Sequence, residues 1–333
     1  MIQLAGVLWL GIWVLAVASP LQLGATAANT ILVPVAGLAL FTAFLGRRNP
    51  RAARGLAVIA ALIVGTLVVR ATNESRPARI NDGTPLTVVS HNVLFRGGSP
   101  NATIRMLRQQ NADVILLQEV TPDWVGRLKR AKLLPYHVFA PHRGTHGMAV
   151  LSRVPLTRPK LWRNDSGRVI GQCVDLKGPK SVRGSGICHV HLASPSGAVT
   201  QSEHPVRAAI ALERNARLRE RQWTRLAREM KDRHDPILIG GDFNTLPEEP
   251  WLIEARHEWV DAARGLGLRQ ATWPRIAASA HRPPWPLGVV ARQGPWFRID
   301  YLLVSPSVGL NDATRLAGGG SDHLAVRATL TLP

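Results

Sequence analysis

Pro236-Ile237-Leu238-Ile239-Gly240-Gly241-Asp242-Phe243-Asn244 is the stretch on which the fold reading turns. A short apolar run, two glycines and then an acid and an amide read as a buried strand that ends on a rim. The Asp242 carboxylate is thereby set at the edge of a packed sheet. The same grammar recurs along the chain. Leu86-Thr87-Val88-Val89 runs into Ser90-His91-Asn92, and Asp113-Val114-Ile115-Leu116-Leu117 runs into Gln118-Glu119. Cys188-His189-Val190-His191 closes a further strand, Arg298-Ile299-Asp300-Tyr301 opens one, and Ser321-Asp322-His323 precedes the last. Six polar rims in one domain can converge on a single pocket. Taken singly, each has a plainer explanation: Glu119 as a helix-start acid before Thr121-Pro122, Asp242 as a turn residue, Asn244 as a left-handed position, His191 as a structural histidine.

Outward from these rims, strands are expected at Leu86–Val89, Val114–Leu117, His137–Phe139, Met148–Leu151, Val169–Leu176, Gly186–Leu192, Ile237–Gly240, Ile299–Val304 and Ala325–Leu330. Helices are expected at Ala102–Gln110, Trp124–Arg130 and Pro205–Arg233. In the last of these, Ala209, Leu212, Leu218, Gln222, Leu226 and Met230 form the expected buried stripe. Many short strands with helices between them indicate an α/β sandwich of two sheets with helices outside. Gly318-Gly319-Gly320 reads as a flexible approach to the final motif, since no strand-to-helix context makes it a nucleotide fingerprint.

The 333-residue chain is 46% apolar and has two cysteines, which excludes disordered, collagen-like and disulfide-scaffold classes. Residues 1–46 carry no charged side chain. Apolar stretches at 4–19, 30–46 and 55–69 are each near the length needed to span a bilayer, and they mark residues 1–70 as a membrane anchor of three transmembrane helices. A cleaved signal peptide is the alternative for the first, with Ala25-Thr26-Ala27 resembling a cleavage site. A third segment lying on the membrane surface is the other. Arg47, Arg48, Arg51 and Arg54 crowd the loop between the second and third stretches, so the positive-inside rule keeps that loop in the cytoplasm. A polar linker, 71–85, and the main folded domain, 86–333, then lie outside the cytoplasm. There a Cys173–Cys188 disulfide is permitted, although two buried thiols are the preferred reading.

The formal net charge is +19, of which seven arginines and two acids before residue 84 account for +5, leaving +14 on the remainder. Such a surface attracts phosphates, nucleic acid or anionic lipid alike. Only six of the 41 basic residues are Lys, so part of the arginine excess reflects coding composition.

The rims in their order resemble the endonuclease/exonuclease/phosphatase, or DNase I-like, superfamily. The likeness is carried by HNVLF (91–95), DVILLQEV (113–120), GMAVLSRVPL (147–156), HVHL (189–192), GGDFN (240–244), ATWP (271–274), RIDYLLVS (298–305) and SDHLAV (321–326). The resemblance implies a four-layer α/β sandwich and hydrolysis of a phosphoester or phosphoanhydride assisted by Mg²⁺, with Mn²⁺ as a substitute. By the same resemblance, Glu119 is the principal metal carboxylate, with Asn92 beside it and Asp322 a second-metal ligand or ring-orienting neighbour. Asp242 orients or deprotonates the attacking water, Asn244 positions it, and His191 and His323 contact phosphate oxygens. Asp300 pairs with His323 and keeps it protonated. Two positions depart from the pattern. Leu94 stands where some nuclease members carry an acid, and His189 replaces an Asn common two residues before the catalytic histidine.

His142, Arg143 and His146 are candidate substrate contacts, with plain surface exposure as the alternative. The segment 281–297, with Trp285 and Trp296, reads either as a substrate-binding or membrane-dipping loop or as a packed surface loop. In layout the chain is similar to membrane-tethered bacterial members associated with glycopeptide resistance. That likeness implies membrane lipids as partners and a lipid-linked phosphate or pyrophosphate, such as a polyprenyl carrier, as substrate. An extracytoplasmic nuclease and a catalytically silent scaffold are the competing readings.

Overall fold

A computed structural model of the chain describes residues 83–333 except 97, 179–184, 196–204, 231–232, 234–236, 248, 264–270, 274–294 and 296. The expected membrane segments, most of the linker and Trp285 and Trp296 lie outside the described residues. Among the described residues, no helix is long and apolar enough to cross a membrane.

Among the described residues, twelve strands form two six-stranded sheets. The first runs β11 (Gly309–Leu316), β12 (Ala325–Leu332), β1 (Thr84–Asn92), β2 (Val114–Gln118), β4 (Met148–Ser152), β3 (Tyr136–Ala140). The second runs β5 (Leu156–Arg163), β6 (Val169–Leu176), β7 (Gly186–His191), β8 (Ile237–Asp242), β10 (Asp300–Val304), β9 (Val260–Asp261). Each sheet has one parallel pair at its centre, β1/β2 and β7/β8, and its other neighbours are antiparallel. Helix α1 (Pro100–Gln109) lies between β1 and β2 in the chain, and α3 (Pro205–Met230) between β7 and β8. A parallel pair requires such a crossover.

The side-chain alternation of the strands sorts the core into layers. Leu86 and Val88 of β1, Leu116 of β2, Ile187 of β7, Leu238 of β8 and Leu302 of β10 meet between the sheets. Residues of opposite parity on the first sheet, Val89, Ile115 and Leu117 among them, pack on Met106 and Leu107 of α1 and on Trp124 and Leu128 of α2 (Pro122–Ala131). Those of the second sheet, including Val190, Ile239 and Leu303, pack on Trp223, Leu226 and Met230 of α3 and on Trp251 and Leu252 of α4 (Pro250–Glu258). The result is helix, sheet, sheet, helix, the DNase I-like α/β arrangement. A Cβ at Gly240 would stand 2.6 Å from Leu116 Cδ1 and 2.7 Å from Leu302 Cδ2, so glycine is what allows close approach between the sheets here.

Several expectations change. The domain's first strand begins at Thr84, two residues before the expected boundary. In α3 the buried side is Ala216, Arg219, Gln222, Trp223, Leu226 and Met230; Leu212 and Leu218 are only half-buried, and nothing is described for the side chain of Ala209. Trp223 and Arg219 set the phase of that face, one through packing and the other through Glu249, its ion-pair partner at 3.6 Å. The glycine triplet is no slack tether. Gly319 O accepts a bond from Thr103 Oγ1 at 3.1 Å, Gly318 O accepts from His91 Nε2 at 3.1 Å, and a Cβ on Gly319 would lie 2.5 Å from Thr103 Cα. Gly319 and Gly320 press against the start of α1, and a Cβ on Gly318 would lie 1.9 Å from the His323 carbonyl oxygen.

The preferred reading of two buried thiols also gives way, because Cys173 and Cys188 are joined by a disulfide. The antiparallel register of β6 and β7 puts the two residues directly opposite, with Cα atoms 4.1 Å apart. Trp162 of β5 donates its indole N–H to Cys173 Sγ at 3.4 Å.

Candidate active site

The inter-sheet layer changes character along the strands. Leu86 and Val88 are followed on the same face of β1 by Ser90 and Asn92; Val114 and Leu116 of β2 by Gln118; Ile187 of β7 by His189 and His191; Leu238 of β8 by Gly240 and Asp242. An apolar floor thus gives way to amides and then to ionisable groups at the carboxyl ends of both parallel pairs. Open α/β sheets bind ligands at such ends.

Asn92 is the joint between the sheets. Its Nδ2 donates to Glu119 Oε1 at 3.1 Å and to Asp242 Oδ2 at 3.0 Å, and its Oδ1 accepts from the Leu94 amide at 3.1 Å. Ser321 Oγ donates to the Asn92 carbonyl at 2.6 Å and accepts from His323 N at 3.1 Å, which ties the last motif to the first. Glu119 follows β2 with φ +62, a left-handed turn that breaks the strand and brings the carboxylate back towards Asn92. Its Oε2 accepts from the Phe95 amide at 2.9 Å. The N-cap of α2 is Thr121, whose hydroxyl accepts from Trp124 N, so Glu119 is not the helix-start acid of the plainer reading.

Asp242 lies between two histidines, 3.6 Å from His191 Nε2 and 3.7 Å from His323 Nε2. Its Oδ1 accepts from Asn244 N at 2.8 Å, and Asn244, at φ +50, donates Nδ2 to the Leu192 carbonyl at 3.1 Å. Burial raises the Asp242 pKa, as does the nearby Asp300 carboxylate, while His323, His191 and the Asn92 amide pull the other way. His323 Nδ1 lies 3.0 Å from Asp300 Oδ2. Burial opposes charge on the His323 ring, but Asp300, Asp242 and Asp322 outweigh it and hold the pKa at about 10. The ring is therefore an imidazolium at neutral pH.

Seven of the expected rim positions are brought together: Asn92, Glu119, His191, Asp242, Asn244, Asp300 and His323. All seven are buried. Asp322 is half-buried, and its Oδ2 accepts from the Trp273 indole at 3.1 Å. The Trp273 ring that donates this bond has its centroid 6.4 Å from that of His323. His142, Arg143 and His146 stand on the adjoining loop; His146 is half-buried, with its ring centroid 6.4 Å from that of His191, and Arg143 is exposed. His189 is fully buried below the site, its Nε2 2.6 Å from Gln118 Nε2. It serves the inter-sheet layer and not the pocket. Leu94 turns at φ +60 and donates its amide to Asn92.

A hard divalent cation fits this donor set. Glu119 is a buried carboxylate with no ion-pair partner among the described residues, and each of its oxygens accepts a single hydrogen bond. Two lone-pair directions therefore remain for a hard ion. Asp242, Asp300 and His323 form a second group, with ligand atoms within 4.8 Å of one another. There the protonated His323 already supplies the positive charge, so Glu119 with Asn92 is the better cation site.

Sequence reasoning did not single out Thr272, whose hydroxyl accepts from the amides of Ile299 and Asp300 at 3.2 and 3.3 Å, or Arg168, which approaches His146. Thr272 lay in a matched segment, but nothing in its surroundings signalled a strand-opening role. Arg168 is one arginine among many.

No curated protein matches the chain. Among solved structures, a functionally unknown conserved protein from Enterococcus faecalis is 17% identical with a TM-score of 0.55, over 74% of this chain and 100% of that one. Danio rerio TDP2, in complex with a single-strand DNA product, is 17% identical with a TM-score of 0.57, over 74% and 99%. A 3'-5' exonuclease (NExo) from Neisseria meningitidis is 17% identical with a TM-score of 0.52, over 73% and 98%. At this identity the likeness is one of fold. Residues 89–323 match the model of the Endonuclease/Exonuclease/phosphatase family, and the chain belongs to that family.

Proposed function

We propose that the protein is a membrane-anchored, metal-dependent phosphoesterase that hydrolyses a phosphate ester or pyrophosphate outside the cytoplasm, on a lipid-linked or cell-envelope substrate. The observation that carries the chemistry is Asp242, held by Asn92 on one side and flanked by His191 and His323 on the other. Family membership points to the same bond class.

Glu119, with Asn92 beside it, would hold the cation, which when bound polarises a phosphoryl oxygen. Asp242 has a pKa raised by burial and takes the proton of an attacking water. Asn244 fixes the Asp242 carboxylate through its amide and so sets the direction of that transfer. His323 is held as an imidazolium by Asp300 and donates Nε2–H to a phosphoryl oxygen; His191 offers a second donor from the other side. Together they neutralise the charge that gathers as the bond breaks.

The placement outside the cytoplasm rests on the Arg47–Arg54 loop and on the Cys173–Cys188 disulfide, which suits an oxidising compartment. The three apolar stretches 4–19, 30–46 and 55–69 supply the anchor, and 71–85 the spacer. A nuclease of the same compartment is the second reading, favoured by the +14 on residues 84–333. Full-length protein with Mg²⁺, assayed in parallel on a polyprenyl pyrophosphate, sphingomyelin and plasmid DNA, separates the two. Preferential release of phosphate from the lipid supports the first reading, and DNA nicking at higher kcat/KM replaces it with the second. Reporter fusions after Gly83 check the topology, and a fusion active only in the cytoplasm overturns it.

A further inference from the structure

The loop 141–147 between β3 and β4 is built against the site. The His142 amide donates to the Val120 carbonyl at 3.1 Å, and the Val120 amide donates to Gly147 O at 3.0 Å. A Cβ on Gly147 would lie 1.9 Å from Val120 O, so only glycine permits that contact. Val120 follows Glu119, so the loop takes its position from the same turn that aims the carboxylate. His142 is braced in turn by its own Nδ1, which accepts from the Gly144 amide at 2.9 Å.

From His191 a row of cationic and imidazole groups leads outward. The His146 ring centroid is 6.4 Å from that of His191 and 5.6 Å from that of His142. Arg168, at the start of β6, brings its guanidinium to 3.5 Å from His146 Nε2. Among the described residues, neither Arg168 nor these histidines has a carboxylate partner on the outer side of His191. Burial first, then His191, Arg168 and His142, hold the His146 ring at a pKa of about 4. The His146 ring is thus a neutral hydrogen-bonding edge at neutral pH, and the Arg168 guanidinium beside it carries a positive charge that no carboxylate answers among the described residues.

We propose that His146 and Arg168 form a second anion subsite beside the reacting phosphoryl position, and that it takes the neighbouring phosphate of a diphosphate. The inference rests on the phosphoesterase reading and narrows it. A monophosphate ester fills only the His191–Asp242–His323 end, whereas a diphosphate reaches both. Arg168 presents planar donors suited to phosphate oxygens, and the half-buried imidazole strengthens each bond by excluding water. The next phosphodiester of a nucleic-acid strand has related chemistry, and the test keeps the two apart.

The full-length protein and its Arg168→Ala and His146→Ala variants are titrated calorimetrically with inorganic phosphate, inorganic pyrophosphate and a 5'-phosphorylated dinucleotide. The wild type is expected to bind pyrophosphate at least about tenfold tighter than phosphate. Each substitution should reduce that ratio by about tenfold, the worth of one charged hydrogen bond, and leave phosphate affinity unchanged. A ratio unmoved by both substitutions overturns the subsite, as does an equal loss of phosphate binding. A wild-type preference for the dinucleotide that both variants lose also overturns it, since the subsite would then read a nucleic-acid backbone. Hydrolysis of the polyprenyl pyrophosphate is measured on the same preparations. Turnover with an unmoved ratio sinks the subsite alone; no turnover on any phosphate substrate sinks the phosphoesterase reading itself. Arg168 is exposed, so its variant is expected to melt as the wild type does.

Discussion

The two sheets share one plan and end in different chemistry. Each is centred on a parallel pair with a helix between its strands in the chain, β1–α1–β2 in one and β7–α3–β8 in the other. Both pairs carry apolar residues into the shared inter-sheet core. The first pair ends in Asn92 and Glu119, a neutral amide and a carboxylate without a cationic partner among the described residues. The second ends in His191, Asp242 and Asn244, beside Asp300 at the start of β10. His323 leads into β12 of the first sheet but turns its ring to Asp300 of the second. One scaffold repeated twice thus offers one end that would hold a cation and another that would handle protons, and Asn92 joins them across 3.0 and 3.1 Å. Fold alone does not choose which chemistry a strand end carries; one or two residues past the last apolar position do.

The sharpest way to break this contrast is to remove the anion of the first end. Glu119→Gln keeps one of the two accepted hydrogen bonds, sets its NH2 against the other donor, and deletes the buried charge. Turnover is expected to fall by about a thousandfold or more, with the melting temperature retained. A variant that stays active in Mg²⁺, or wild-type activity undiminished by EDTA, would move the cation to the Asp242–Asp300–His323 group or remove it from the reaction.

The sheets also differ in their stitching, because the second carries the Cys173–Cys188 disulfide between β6 and β7. Closing a loop with a sequence separation of 15 stabilises by about 3 kcal/mol in the chain-entropy account. Both cysteines lie in the outer core with Trp223 and Phe243, on the face away from the pocket. Cys173→Ser with Cys188→Ser is therefore expected to lower the unfolding free energy by about that amount and leave kcat/KM within twofold. A large loss of rate at unchanged stability would mean that the staple orders the His191 strand.

How much of this was legible in sequence follows from burial. The central strands were read because they are buried on both faces and end abruptly in polar residues. The strand β5 was missed because Pro159 interrupts it and charged residues line its exposed side, as befits a bulged edge strand. The strand β11 was missed for a similar reason, its Gly309–Leu316 run being half-exposed and bulged at Leu310/Asp312. Helix α4 carries little amphipathic signal, since its one buried face, Trp251, Leu252, Ala255 and Arg256, includes an arginine while the apolar Ile253 lies off it. The site residues were legible as strand-end acids, amides and histidines. What joins them was not: the Thr272 hydroxyl, the Trp273 indole on Asp322 and the Ser321 bridge depend on chain segments remote in sequence.

Within the proton-handling end, the comparison can be sharpened by pH. The His323 pKa is raised to about 10, so the imidazolium persists through neutrality and is lost as pH rises through that value. Activity should share this alkaline limb. Asp300→Asn removes the carboxylate that most raises the pKa, so the limb is expected to move to lower pH and the rate to fall about a hundredfold. The stability linked to His323 has the same sign: it is fully present below the unfolded pKa of about 6.5 and is lost towards pH 10. Loss of stability with an unshifted limb would make Asp300 a sheet-closing residue and nothing more.

The smallest effect expected lies below the pocket, where the two sheets touch through Gln118 and His189. Burial lowers the pKa of His189 to about 3, with the His191 ring adding to the shift, so the imidazole is neutral in the folded protein. Its Nε2 faces Gln118 Nε2 at 2.6 Å, a contact that works only if the imidazole nitrogen accepts. Protonation would set two donors against each other. The linkage runs opposite to that of His323: stability is full above about pH 6.5 and declines as pH falls from there towards 3, because the unfolded chain binds the proton first. The slope is about 1.4 kcal/mol per pH unit for one such group. His91, buried against the Gly318 carbonyl and likewise lowered to about 3, adds a slope of the same sign. His189→Asn cannot be protonated and keeps an acceptor for Gln118. Urea unfolding of this variant and the wild type at pH 7 and pH 5 should therefore show a smaller acid loss in the variant, by roughly one to two kcal/mol. Equal losses would mean that His189 is already protonated in the fold, and that the contact between the sheets at Gln118 is not the one described.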